Sequence, residues 1–517
     1  MAKKHRPKAA APDPPPPAAP AEIAAESAPE HVEGGLTIGR PTALGITVAR
    51  WEERLAVFLA VFFLFVFLTQ DYGGHLNRGS WNDQSRFATI QALVEQGTFA
   101  IDNTRWGWWT GDKVFAGEHF YSTKPPLLSV LGAAVYWPLH RMLGLSYFND
   151  AQAPTIYYVV TLTLIGVPMA LAAALFYDLL ARFGLALRWR LVGVLGFALG
   201  SLYLPYSTIF QNHTVAGIAG LGSFAGLLIA SQGPGRFWPL ALAGLGVALA
   251  LATDIVGGAP YAFAAITWLA WRHTAGGRPA AELGPFALGL AVPLTIHFAC
   301  NYAITGDFSP IYAKAETYRL TNVKGLYGEV LERRGYFATL LDPFRWRYIV
   351  NTLFGIRGIF LYTPTLLLGL WAGWRLLGSR WQGLAGLEDG RQWPAMAWWT
   401  RGFLAMTLIS WLYLLLRTEN YGGTSYGSRY FIAPMAVLLL FAALVYRDTV
   451  GTPRARGWYA EALRLAIVMS LLGAAFPWGV MDISGTPTNF SFVANLKAYS
   501  QNVLTVLLTR AGLGVEA

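Results

Sequence analysis

The run Arg54-Leu-Ala-Val-Phe-Leu-Ala-Val-Phe-Phe-Leu-Phe-Val-Phe-Leu-Thr-Gln70 carries no charge between its two ends. A bilayer accommodates such a run as a helix of about 20 residues, which satisfies its own backbone hydrogen bonds. It starts too far from Met1 to be a cleaved secretory signal, so it reads as a retained anchor. Comparable runs follow near residues 126–146, 157–181, 191–209, 213–231, 237–254, 255–272, 283–303, 349–374, 398–417, 430–446 and 462–480, about 12 segments with the first. The whole chain of 517 residues is 54% hydrophobic and only 13% charged, with a mean hydropathy of +0.40. A soluble chain carries roughly 25% charged residues. A soluble enzyme and a single-pass receptor are both excluded, and the expected fold is an all-α polytopic membrane bundle of about 11 to 13 spanning helices.

Outward from the anchor, residues 1–50 begin Met-Ala-Lys-Lys-His-Arg and continue through Ala and Pro. That composition cannot bury enough apolar surface to fold and predicts a disordered cytoplasmic tail. Residues 51–480 form the membrane body, and 481–517 a C-terminal tail. Two long polar stretches, 71–124 and 304–348, interrupt the body, and long loops carry function more often than short ones. The basic connections Arg182/Arg188/Arg190, Arg272/Arg278, Arg375/Arg380/Arg391 and Arg447/Arg454/Arg456 fall on one side if successive segments cross. The positive-inside rule makes that side cytoplasmic and puts loops 304–348 and 418–428 outside. Loop 71–124 joins them only if one early segment does not cross; the segment 126–146, with Pro125, Pro126, Pro138 and His140, is the candidate. The net charge of +10 implies no nucleic-acid partner, because Lys and Arg are scattered between apolar runs. The single cysteine, Cys300, permits neither an intrachain disulfide nor a Cys-based metal site.

Chemistry is concentrated in the first outer loop. Asn82-Asp83-Gln84-Ser85-Arg86-Phe87-Ala88 leads into apolar positions Phe87, Ile90 and Val94, the spacing of one helix face. Asp83 thus stands at a helix start. Asn82 or Asp83 caps that helix, a role worth about 1 kcal/mol, and a carboxylate fixed there is also placed to take a proton. Further on, Tyr121-Ser-Thr-Lys124-Pro-Pro-Leu brings a lysine to the edge of an apolar segment. Such a lysine either snorkels at the interface or, stiffened by two prolines, serves as a point charge for an anionic headgroup.

Taken together, Asp83-Gln-Ser-Arg86-Phe-Ala and, about 40 residues later, Lys124-Pro-Pro-Leu resemble the paired motifs of the C-type (GT-C) glycosyltransferase superfamily. The nearest pattern is that of the bacterial branch with lipid A aminoarabinose transferase and the protein O-mannosyltransferases. Gly355-Ile-Arg357-Gly-Ile-Phe-Leu-Tyr-Thr-Pro364 and Tyr421-Gly-Gly-Thr-Ser-Tyr-Gly-Ser-Arg429-Tyr also look like patterns of bacterial members. The resemblance implies a GT-C-like bundle in which Asp83 is the catalytic base and Lys124 holds the lipid phosphate. It implies transfer of a sugar from a polyprenyl-phosphate carrier to a hydroxyl of a lipid, glycan or protein acceptor, outside a plasma or inner membrane, with inversion in one displacement. Where the family usually has a Glu, this chain has Gln84, an amide that cannot share a proton or ligate a metal as a carboxylate does. No cofactor is expected, and a divalent metal is left open.

Arg86, Arg357 and Arg429 are further candidates for the phosphate, since guanidinium binds it bidentately; anchoring of helix ends or internal pairing is the plainer reading of each. Gln84, Tyr121, His213 and Tyr426 are candidates for lining the site, although a solvated loop histidine is the plainer reading of His213, in the short Gln211-Asn212-His213 connection. Asp254 reads as a helix break. Asp102 and Asp112 flank Trp106, Trp108 and Trp109, read as an interfacial belt. Asp307, Lys314, Glu316, Arg319 and Lys324 either cover the pocket or form a solvated surface. A transporter or lipid flippase, or a polysaccharide polymerase or ligase, has a similar helix count. Transporters place ionisable groups near the bilayer midplane and often show matched halves, whereas here the polar residues gather in outer loops.

Overall fold

The structure is a computed structural model that describes residues 40–41, 47–71, 80–233, 236–275, 279–314, 317, 342–388, 390–418, 421–423, 425–478, 493–497 and 500. Most of the expected tails at 1–50 and 481–517, and residues 318–341 of the stretch 304–348 with Arg319 and Lys324, lie outside the described residues, as does Glu316. The protein is a helical, multi-pass membrane bundle. Five helices are long and apolar enough to cross a membrane by length and composition: Ala153–Arg182, Asn212–Ser231, Ala281–Thr305, Gln392–Arg417 and Pro453–Ala475. Phe237–Thr253 and Met435–Tyr446 are shorter apolar helices.

The anchor forms Trp51–Leu68, with Glu52 and Glu53 in its first turn, where the helix dipole favours acids. Two apolar segments are broken. The expected run 191–209 gives Leu187–Ala198 and a short turn Tyr203–Tyr206. The run 349–374 gives Pro343–Leu353, Ile359–Tyr362 and Thr365–Arg375. Gly200 interrupts the first, and Gly355, Gly358 and Pro364 interrupt the second. Glycines also set helix spacing: a Cβ on Gly244 would overlap the Phe286 carbonyl oxygen, and one on Gly289 that of Ala241. Small residues thus let Phe237–Thr253 and Pro279–Thr305 approach backbone to backbone, as packing in lipid favours.

The basic connections meet at one end of the bundle. Arg190 bonds Glu53 at 3.2 Å, Arg182 bonds Asp178 at 2.7 Å, and Arg447 donates to the Gly184 carbonyl at 3.2 Å. Gln232 joins the Ala385 carbonyl at 2.8 Å in the same group. Helix Trp51–Leu68 starts there and finishes at the opposite end, where the Gln70 N–H donates to the Thr208 carbonyl.

Helix Pro126–Leu143 meets the stretch 80–124 at both of its ends. Before it, the Thr123 N–H bonds the Asp112 carbonyl. Near its close, the Tyr136 hydroxyl bonds Glu95 at 2.5 Å, and Arg105 pairs with Asp150 at 2.6 Å just beyond. Tyr158 then donates to the Val66 carbonyl, close to the end of the first helix. The chain therefore returns to the end it left. The stretch 80–124 is also not purely helical: Lys113–Ala116 pairs antiparallel with His119–Ser122.

Candidate functional site

The helix Trp81–Gln91 begins one step earlier than its sequence suggests. Ser80 is the cap, its side chain accepting from the Asn82 N–H at 3.1 Å, and Asp83 closes the box by accepting from the Ser80 N–H at 3.5 Å. A serine three residues before an acid is the capping-box signature, so the signal was in the sequence and Asn82 and Asp83 were wrongly placed at the cap. Asn82 through Gln91 are all buried, with Asp83 and Arg86 each 1% exposed. A charged pair this deep at a helix start needs specific partners.

Arg86 finds them in amides. It donates to the Asn82 side chain and, at 2.6 Å, to Asn212 Oδ1. Asn212 in turn donates to the Thr253 carbonyl at 2.9 Å. One guanidinium thus ties helix Trp81–Gln91 to the start of helix Asn212–Ser231 and to the break before helix Ile255–Thr274. Burial lowers Arg86 to about 10, against the raising influence of Asp83; at neutral pH it is a cation.

The hairpin brings Lys124 to the same place. Ser85 Oγ lies 2.6 Å from both the Asp112 carbonyl and Ser122 Oγ, stapling helix to hairpin. Ser122 also accepts from the Lys124 N–H at 3.1 Å. The Lys124 ammonium lies 2.7 Å from Asp112 Oδ2, with the two side chains 16% and 20% exposed. Lys124 is thus an ion-paired, half-buried group rather than a snorkelling one. Burial pushes it down to about 8, although Asp112 pulls the other way. Burial would raise Asp112, but Lys124, Arg429 and Arg86 outweigh it and hold the carboxyl below its usual range. Asp112 was missed as a partner: twelve residues separate it from Lys124, and only the hairpin register, which sets Lys113 opposite Ser122, closes that gap.

From the far part of the chain, Arg429 is buried over the rings of Tyr430 and Trp478. It lies within electrostatic reach of Lys124, Arg86 and Asp112. His213 is 7% exposed, not a solvated loop residue. Its Nδ1 stands 2.6 Å from Asp254 Oδ2 and its ring meets Tyr430 edge to face. Asp254 does break two helices, capping the second through the Gly257 N–H at 3.0 Å, and in addition holds this imidazole. Asp83, Arg86, Asp112, Lys124, His213, Asp254 and Arg429 are therefore one cluster drawn from five stretches of chain.

Other candidates fall outside it. Arg357 is buried among Tyr206, Tyr362 and Tyr421, next to the cluster through its carbonyl, which accepts from Ser428 at 2.7 Å. Tyr426 is fully buried, its hydroxyl bonded to the Met469 carbonyl at 2.5 Å and its ring against Tyr362, so it is a packing residue. Tyr121 is half-buried on the hairpin beside His119. Gln84 is buried beside Asp83 in the helix start. Trp108 and Trp109 are exposed, while Trp106 bonds Tyr157 through its ring nitrogen. Asp102 accepts from the Phe120 N–H and faces His119. Lys314 pairs with Asp307 at 2.6 Å. Among the described residues, no group of three His, Cys, Asp or Glu side chains is placed to hold a metal.

No family model and no curated protein matches the chain. Among solved structures, it is similar to the oligosaccharyltransferase of Archaeoglobus fulgidus in the apo form, at 14% identity and a TM-score of 0.46, over 81% of this chain and 56% of that one. It is also similar to that organism's AglB in complex with an inhibitory peptide and a dolichol-phosphate, at 14% identity and a TM-score of 0.45. A third is ArnT from Cupriavidus metallidurans bound to undecaprenyl phosphate, at 13% identity and a TM-score of 0.47, covering 89% of this chain and 72% of that one. The chain spans little more than half the length of the archaeal enzyme.

Proposed function

We propose that the protein is an integral-membrane glycosyltransferase that moves a sugar from a polyprenyl-phosphate carrier to an acceptor hydroxyl on the extracytoplasmic face. The observation that carries this reading is the cluster in which Asp83 acts on Arg86, and Arg86 and Arg429 act on Lys124, at the end of the bundle away from the basic connections. It agrees with the resemblance of the Asp83 and Lys124 motifs to the C-type family.

The chemistry follows from the groups. The leaving group is a phosphate, already a stable anion, so no strong general acid is required. Three cations placed where that charge develops stabilise departure, most effectively where water is excluded. The acceptor hydroxyl must lose a proton, and Asp83, fixed by its bond to the Ser80 N–H, is the base in this reading. Attack opposite the phosphate inverts the anomeric centre in a single displacement. Gln84 contributes no second acid. The acceptor, whether lipid, glycan or protein, is selected by parts of the chain beyond this cluster.

Incubating membranes that contain the protein with a panel of labelled polyprenyl-phosphate sugars tests the reading. Consumption of at least one donor, lost in Asp83→Asn, is expected; consumption of none by the wild type rejects it.

A further inference from the structure

We propose that Asp112 is an exchangeable internal counter-ion: its carboxylate holds the Lys124 ammonium in the donor-free site and gives it up to the phosphate of a lipid-linked ligand. The inference rests on the reading of Lys124 as the phosphate-holding lysine, and it concerns a residue that the paired motifs do not contain.

Three features of the geometry support it. The first is selectivity of pairing. Arg86 bonds the amides of Asn82 and Asn212, and Arg429 lies over two aromatic rings. Of these three cations, Lys124 has a carboxylate at 2.7 Å, and a phosphate oxygen seeking the same ammonium must share or displace it.

The second is the way Asp112 is held. Its main chain is fixed: the carbonyl accepts from Ser85 Oγ at 2.6 Å, from the Thr123 N–H at 3.1 Å and from Thr123 Oγ1 at 3.2 Å. Its own N–H donates to Thr110 Oγ1 at 3.2 Å. Gly111 packs so closely on the Trp81 ring that a Cβ there would overlap it. The side chain, by contrast, makes its bond to Lys124. Release therefore needs only rotation about side-chain torsions, with the loop left in place.

The third is charge balance. The cluster contains the cations Arg86, Lys124 and Arg429 and the carboxylates Asp83, Asp112 and Asp254, the last occupied by His213 and the Gly257 N–H. Without a counter-ion the clamp would be electropositive at rest and would retain the leaving phosphate, which carries more charge after the glycosidic bond breaks. A carboxylate that returns to Lys124 competes with that product and favours its departure. Asp112 thus trades affinity for release, the condition under which transition-state stabilisation raises turnover.

Removing the Asp112 charge has two opposed effects on Lys124. It deletes a competitor, and it removes the group that keeps the ammonium protonated against burial, Arg86 and Arg429. Arg86 and Arg429, the other charges that act on the pair, are left in place by the substitution.

The test uses full-length protein in phosphatidylcholine nanodiscs, with undecaprenyl phosphate as probe and inorganic phosphate as a second arm. Asp112→Asn is expected to bind the lipid more tightly at pH 6.5, on the order of tenfold, and to lose it at a lower pH than the wild type does. Asp112→Ser should do the same if the asparagine variant folds poorly. In a Lys124→Met background, Asp112→Asn should change nothing. Equal or weaker binding by both folded Asp112 variants at pH 6.5 overturns the exchange, as does a gain that persists without Lys124. A gain seen equally with inorganic phosphate alone overturns the assignment to a lipid headgroup. A wild type that binds no lipid phosphate at any pH rejects the glycosyltransferase reading itself, which distinguishes that failure from a wild type that binds while Asp112→Asn does not differ.

Discussion

The two ends of the bundle bury charge in different ways. At the end of the basic connections four arginines find carboxylates: Arg190 and Arg50 share Glu53 at 3.2 and 3.4 Å, Arg182 holds Asp178 at 2.7 Å, and Arg272 holds Glu282 at 2.5 Å. At the other end Arg86 is held by amides and Arg429 by rings, and among the described residues neither has a carboxylate at ion-pair distance. A buried charge without a counter-ion is costly to fold. The matched end fastens helices, whereas the other end keeps cationic capacity for a ligand that brings its own negative charge. Perturbed and incompletely neutralised ions of this kind mark functional sites more often than structural ones.

Substitutions at the two ends should therefore separate activity from stability. The largest effect is expected at Asp83. Asp83→Asn keeps an oxygen for the Ser80 N–H while losing the proton acceptor, so transfer should fall by about two orders of magnitude or more with donor binding near normal. Single-turnover assays beside binding measurements check this, and near-normal turnover would reduce Asp83 to its part in the capping box.

Lys124→Ala should weaken donor binding as well as slow transfer, and Lys124→Arg should recover only part, because a planar fork does not replace a compact ammonium. The same residue sets a pH dependence. An ammonium lowered to about 8 is charged below that value, so phosphate binding should be full under it and decline as pH rises through it. Calorimetric titration of a lipid phosphate across this window shows the decline; binding that is level up to pH 10, where an ordinary lysine begins to titrate, would contradict it.

At the matched end, Glu53→Gln should lower thermal stability by about 1–3 kcal/mol and leave turnover per folded molecule unchanged. If transfer fell instead, the contrast between the two ends would be broken. The smallest effect is expected from Tyr426→Phe, which removes the bond to the Met469 carbonyl, a loss of about 1 kcal/mol without change in donor affinity.

The apolar runs made the helices legible because lipid imposes one backbone solution on any long uncharged stretch. Helix Asn212–Ser231 appears one residue from its expected start. The breaks after Ala198 and Leu353 were less visible, since the Gly and Pro that cause them sit inside continuous hydrophobicity. Within the site, Asp83, Arg86, Lys124 and Arg429 could be picked out as residues, but their partners could not. Asn212 and Asp254 stand 126 and 41 residues from Arg86 and His213 respectively, and those pairings exist only once helices pack. Sequence alone favoured a solvated loop residue at His213 for the same reason. For Tyr426, a candidate for lining the site, the fold supplies the Met469 carbonyl as partner for its hydroxyl, a pairing equally invisible in the sequence.

The central claim is that Asp83 takes the proton while the nearby cations hold the phosphate, and it is tested most directly by one paired measurement. Purified wild type and Asp83→Asn would be loaded with a polyprenyl-phosphate sugar that the wild type consumes, and bound donor and transferred sugar followed in a single turnover. Equal donor occupancy with transfer abolished in the variant is the predicted result. Transfer by Asp83→Asn at the wild-type rate, with the same occupancy, would contradict it.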